Sequence, residues 1–165
     1  MTTTTYVHAI HSSKGGVPKL PRMNDHVGRL GLSSDKQAHP QFHGGPERAV
    51  CLYSLERIEA LQAEGHPIQP GSTGENLTLT GMEWGQVLPG LRLAIGDELQ
   101  LEIASFAAPC KSIRSSFKDE AFQRIAQPLH PGWARANARV LHPGEVAVGD
   151  GVSVLRDAPR STIDA

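Results

Sequence analysis

Residues 91–103 read LRLAIGDELQLEI. Leu91, Leu93 and Ile95 alternate with polar or small residues, Gly96–Asp97 interrupts, and Leu99, Leu101 and Ile103 resume the alternation. A period of two on both sides of a Gly–Asp turn predicts a β-hairpin with one buried face. Working outward, Tyr6–His11 reads as a first strand, followed by a Gly/Pro-punctuated loop through Pro21 and a polar, irregular stretch from Met23 to Pro40. His43–Arg48 (HGGPER) reads as a tight turn. From Ala49 to Glu64, apolar residues at Leu52, Leu55, Ile58 and Leu61 predict an amphipathic helix, stopped by Gly65. Ser115–Ala126, with Phe117, Phe122 and Ile125, predicts a second helix. Arg139–Leu141, Glu145–Val148 and the Val152–Val154 segment after Gly149–Asp150–Gly151 close the strand set. The 17 glycines and 12 prolines are spread along the chain, as suits many short strands. The expected fold is mainly β: a twisted, partly closed barrel with two or three short helices, one domain over residues 1–155, and a polar tail over 156–165.

Composition narrows the function. Sixteen Lys and Arg against seventeen Asp and Glu give a net charge of −1, without the basic excess of a sequence-independent nucleic-acid binder. Two cysteines, Cys51 and Cys110, exclude a disulfide framework and suit a reducing compartment. No apolar run approaches the roughly 18 residues of a membrane span. The threonine-rich start, Met1 to Tyr6, lacks the basic and apolar regions of a signal peptide. A cytoplasmic protein, with neither nucleic acid nor membrane as partner, is expected.

Cys110 is the first candidate for chemistry. It follows the strongest strand and precedes Lys111 and Arg114, cations that favour the thiolate that attacks or ligates a soft metal. A small buried hydrophobe is the competing reading, and for Cys51, between Val50 and Leu52, it is the preferred one. In His43–Gly44–Gly45–Pro46–Glu47–Arg48, two glycines can turn backbone N–H groups toward an anion that Arg48 would share; a plain turn starting at Pro46 competes. Gly71–Thr78 (GSTGENLT) either lines a polar pocket or leads into a strand. His39 and His43, four apart with Pro40 between them, do not make a zinc site. Trp133 in His130–Arg135 reads as core. No Ser–His–Asp elbow, P-loop or dinucleotide fingerprint occurs.

Taken in order, these segments resemble the MOSC domain, named for the C-terminal part of molybdenum-cofactor sulfurases. The matching stretches are Gly31–Leu32 through Lys36–Gln37, Phe42–Val50, Gly74–Thr78, Ile95–Asp97, Pro109–Cys110, Arg139–Leu141, Pro143–Gly144 and Gly149–Asp150. The likeness spans about residues 6 to 155 and points to the small stand-alone bacterial members. It implies a β-barrel and a molybdopterin-type molybdenum cofactor that need not survive purification; pyridoxal phosphate binding is implied only at family level. Cys110 would be the metal ligand. His43, Gly44, Gly45 and Arg48 would hold the phosphate end, and Glu75 and Asn76 would hydrogen-bond the pterin or the substrate. The chain departs from the pattern at Ser33–Ser34–Asp35 and at Ala107–Ala108, where relatives carry Gly–Asp and an arginine. Lys36, Lys111 or Arg114 would then supply the missing anion contact, and Asn137 stands where an aromatic is expected.

The resemblance implies reduction of a small N-hydroxylated substrate, N–OH to N–H, with Cys110 and His43 as catalytic residues. Two cysteines cannot hold an iron–sulfur cluster, so electrons would come from a separate reductase. The alternatives are a sulfur carrier using a Cys110 persulfide, a cofactor-delivery module, and a cofactor-independent enzyme on the same barrel.

Overall fold

The computed structural model describes residues 4–35 and 44–156. Lys36, His39 and His43, together with the tail from residue 157, lie outside the described residues.

The hairpin read from residues 91–103 is present. Strand β7 (Arg92–Ile95) pairs antiparallel with β8 (Leu99–Ala107), and Leu93, Ile95, Leu99, Leu101 and Ile103 are buried. Around it runs an eight-stranded sheet that also contains β1 (Tyr6–Ser12), β2 (Leu20–Arg22), β5 (Val50–Ser54), β6 (Leu77–Thr80), β9 (Arg135–His142) and β11 (Val152–Leu155). Its order is β11-β7-β8-β9-β5-β6-β1-β2. A second sheet joins β10 (Gly144–Ala147), β3 (Asn24–Gly28) and β4 (Gly31–Leu32) in that order.

The expected barrel is only partly realised. The strand ladder is open, with β11 and β2 at its edges. The far half of β1 carries β2, pairing Ile10 with Arg22 and Ser12 with Leu20. The near half of β1 instead meets the lead-in to β11: Val7 N–H bonds Asp150 O at 2.9 Å, Gly149 N–H bonds Val7 O at 2.8 Å, and Val152 N–H bonds Thr5 O at 2.9 Å. β1 divides its free edge between two neighbours, so the ring is bridged over a few residues instead of sealed.

Three expectations need correction. Residues 50–54 are a strand, and the helix α1 covers Leu55–Ala63 alone. Leu52 belongs to β5, a strand between β9 and β6, so its apolar run VCLYS reflects burial on both faces. Ser54 ends that strand and caps the helix, accepting a bond from Arg57 N–H at 3.1 Å. Ile58 and Leu61 then anchor α1 on the core.

Ser115–Ala126 is not one helix. It divides into 3-10 turns at Lys111–Ser116, Lys118–Glu120 and Phe122–Ile125, separated by positive φ at Asp119 and Glu120. The irregular stretch from Met23 contains β3 and β4. An inward Asp25 hides the apolar alternation there; it is held by the Ser34 hydroxyl and by Ser34 N–H at 3.2 Å. Among the described residues there is one α-helix, and no helix is long and apolar enough to cross a membrane.

Candidate functional site

A cleft of about 510 Å³ opens beside the β5–β9–β8 ladder, within the range of roughly 300–1,000 Å³ usual for small-molecule sites. Pairing fixes its strand-built wall. Cys51 on β5 lies opposite Asn137 on β9, Asn137 opposite Ser105 on β8, and Arg135 opposite Ala107. In β9 the small apolar residues Ala136, Ala138 and Val140 turn into the core. Arg135 and Asn137, which alternate with them, line the cleft.

The opposite wall is made of loops. Gly16, Val17 and Lys19 come from the segment after β1, Arg48 from the Pro46–Arg48 turn, and Cys110, Ser112 and Ile113 from the turn after β8. Half-buried Cys110 precedes the first 3-10 turn, its carbonyl accepting from Ile113 N–H at 3.1 Å. Its Sγ lies 2.8 Å from Ser112 Oγ. Either the thiol or the hydroxyl can be the donor of that hydrogen bond.

The cleft is cationic. Lys19, Arg48 and Arg135 line it, and among the described residues no carboxylate does. Lys19 Nζ is matched by Asp35 Oδ2 at 2.6 Å, both side chains almost fully buried. Asp35 also accepts from Ser13 N–H and from Asn76 Nδ2, each at 3.0 Å. Asn76 Oδ1 accepts from Cys51 N–H at 2.9 Å, so the amide is fixed by both neighbours. Burial pushes the Cys51 thiol up, with the Arg135 charge pulling against it.

The expected residues divide. Cys110, Arg48 and Asn76 line one cleft. Gly44 and Gly45 lead into the Arg48 turn without lining the cleft, and Lys36 and His43 lie outside the described residues. Lys111 and Arg114 are exposed and do not line it; Arg114 bonds Lys111 O at 2.8 Å and pairs with Glu120 at 3.6 Å. Glu75 is fully buried behind the wall, accepting from Gly71 N–H and the Thr73 hydroxyl. Burial raises its pKa, opposed first by the Thr73 bond and then by the Arg135 charge.

The sequence reading passed over Lys19, and Arg135 was noted without a role. For Arg135 a signal existed: Arg135, Asn137 and Arg139 alternate with Ala136, Ala138 and Val140, which marks a strand with one polar face. Lys19 carried no such signal, because its partner Asp35 is sixteen residues away. Trp133, read as core, is half-buried, with the guanidiniums of Arg57 and Arg124 at 4.6 and 4.1 Å from its ring centre. Among the described residues no group of three His, Cys, Asp or Glu side chains could hold a metal ion.

The structure is a mainly β domain with a half-buried thiol in a cationic cleft, and comparison with known proteins gives its family. The MOSC domain model matches residues 39–153. The chain belongs to the MOSC domain family. It is 36% identical over 130 residues to a protein named Reductase from Gibberella moniliformis, covering 76% of this chain and 22% of that one. It is 28% identical to Protein YiiM of Escherichia coli, covering 72% of this chain and 53% of that one. It thus spans about half the length of YiiM, and less of the fungal protein. The crystal structure of YiiM from Geobacillus stearothermophilus has the same fold, with a TM-score of 0.72 at 20% identity over 92% of this chain and 75% of that one. The YUAD protein of Bacillus subtilis matches with a TM-score of 0.70 at 19% identity, over 92% of this chain and 95% of its own.

Proposed function

We propose that this protein binds a molybdopterin-type molybdenum cofactor and reduces small N-hydroxylated substrates, with Cys110 as the thiolate ligand. One observation carries the reading: Cys110 shares a single cleft with Lys19, Arg48 and Arg135, and no carboxylate among the described residues lines it. Family membership and the name of the fungal relative support a reductive role. The residues fit the group. The thiol is a soft ligand suited to molybdenum, the cations suit a phosphate end, and the buried Arg135 Nε has no hydrogen-bond partner.

When bound, the cofactor supplies a two-electron couple and an acceptor for the substrate oxygen. The net change is R–NHOH + 2 H⁺ + 2 e⁻ → R–NH₂ + H₂O. Cys110 would hold the metal through its sulfur, with the Ser112 hydroxyl 2.8 Å away to orient it. Arg48 would hold the phosphate end from the loop-built side of the cleft. Asn76 and Glu75 keep the wall rigid; in this reading Glu75 acts through Thr73 and not on the ligand. Val17, Phe106 and Ile113 give the cleft apolar surface that excludes water from the reacting group. His43 is the proposed proton donor, a separate reductase the electron source, and the cytoplasm the compartment.

The test is elemental analysis, with pterin fluorescence, on protein made in a host that synthesises the cofactor. Stoichiometric molybdenum, lost in Cys110→Ser with the fold intact by circular dichroism, is expected. Turnover of N-hydroxylated bases should fall at least about 10³-fold in the same variant. A folded protein free of metal and pterin overturns the reading in favour of a Cys110 persulfide carrier.

A further inference from the structure

Two buried cations face this cleft, and they are treated differently. Lys19 is neutralised by Asp35 at 2.6 Å. Arg135 is 7% exposed and forms no ion pair with any described carboxylate. Its Nη1 donates to the Thr73 carbonyl and its Nη2 to the Ala108 carbonyl at 3.3 Å, while Nε has no partner. Neutral carbonyls orient a guanidinium without cancelling its charge. The charge of Arg135 is felt by Glu75 at a distance, but no carboxylate among the described residues touches the guanidinium, and a buried charge without a contact partner is costly unless a ligand brings one. Two of the five guanidinium N–H groups are used and the unpartnered Nε–H is sealed from solvent, which leaves one N–H on each terminal nitrogen for the two-pronged grip that suits an oxyanion.

One buried acid, Glu75, stands one residue removed. Thr73 joins the two: its carbonyl receives Arg135, and its hydroxyl donates to Glu75. Glu75 also takes Gly71 N–H, so both ends of the Gly71–Thr73 segment are tied to one carboxylate. We propose that Arg135 is the cleft's receptor for an oxyanion carried by its ligand, and that Glu75 is the positioning residue that aims Arg135 through Thr73. The oxyanion is a phosphate ester or a carboxylate, two sources of the same charged-oxygen chemistry. Neither needs a metal, so failure here is separable from failure of the molybdenum reading.

The experiment is calorimetric titration of the metal-free, full-length protein at pH 7 with inorganic phosphate and, in a second arm, with acetate. One site is expected, weakened at least tenfold in Arg135→Gln and retained in part in Arg135→Lys. Preference for phosphate assigns the group to a phosphate ester, and preference for acetate to a carboxylate on the substrate. Glu75→Gln should weaken the anion about three- to tenfold in the wild-type background and have no further effect in Arg135→Gln. A purely structural Glu75 would not show that loss of additivity. Thr73→Val, which keeps the carbonyl and removes the hydroxyl, should reproduce Glu75→Gln should the latter fail to fold. Anion binding that survives Arg135→Gln, or no saturable binding of either anion, overturns the proposal.

Discussion

The two walls of the cleft are built by different means, and each carries a different kind of group. On the strand-built wall, Cys51, Arg135 and Asn137 sit in the paired ladder of β5, β9 and β8, their spacing set by backbone hydrogen bonds. On the loop-built wall, Cys110, Ser112 and Ile113 come from a 3-10 turn, and Gly16 and Val17 from an irregular loop. A ladder can hold a buried guanidinium in place and keep a thiol protonated. A turn presents its thiol where a ligand can reach it. The two cysteines share one cleft, and the wall each occupies separates their chemistry.

The largest test of that difference uses two glycines with similar backbone angles. Gly71, in the segment that Glu75 holds behind the cleft, has φ +84°, and a Cβ there would fall 2.5 Å from the His11 ring. Gly16, on the loop-built wall, has φ +78° and nothing within 4 Å of that position. Gly71→Ala adds a clash to the left-handed backbone cost and should destabilise by at least about 3 kcal/mol. Gly16→Ala meets the backbone cost alone and should lose about 1 kcal/mol. Urea midpoints of the two variants check this, and equal losses would break the contrast between a rigid and a yielding wall.

How much was legible in the sequence follows the same division. The β7–β8 hairpin could be read because Leu91–Ile103 alternates on a period of two around Gly96–Asp97. Strand β5 was mistaken for helix because Leu52, Leu55, Ile58 and Leu61 recur every three residues across a strand–helix junction. A fully buried strand has no polar face to announce its own period. Cys110, Arg48 and Asn76 were legible as candidates through their local turns. The pairing of Lys19 with Asp35 and the link from Arg135 through Thr73 to Glu75 were not. They join residues 16 and 62 positions apart, which only the folded chain brings together.

A smaller test compares the thiols themselves. Cys51 is pushed toward the protonated form by burial, whereas half-buried Cys110 has the Ser112 hydroxyl at 2.8 Å. Iodoacetamide should modify Cys110 at least tenfold faster, followed by peptide mass mapping with Cys110→Ser as control. Ser112→Ala removes one hydrogen bond to sulfur and should slow that reaction about three-fold. Its stability should change by less than about 0.5 kcal/mol, as for other surface positions. Faster modification of Cys51 would reverse the assignment of the two walls.

The smallest effect concerns protons on the strand-built side. His11 packs its ring on Gly71, is 6% exposed, and leaves Nδ1 without a partner. Burial, and secondarily His8, lowers its pKa below 6.5. The unfolded chain therefore binds this proton more readily, so the stability linked to His11 is complete above pH 6.5 and drains away as pH falls below it. Glu75 works in the opposite direction. Its pKa is raised above 4.5, so the folded state takes up that proton first, and acidification toward pH 4.5 relieves the cost of a buried charge. The two slopes oppose each other between pH 6.5 and 4.5. In the unfolding free energy of the wild type, measured by urea titration between pH 7 and 5, His11 should contribute a slope of at most about 1.4 kcal/mol per pH unit, the limit for a single proton. His11→Gln removes the His11 slope and leaves the others, so this variant should lose less stability than the wild type over the same interval. An identical fall in both proteins would mean that the acid sensitivity lies outside the strand-built wall.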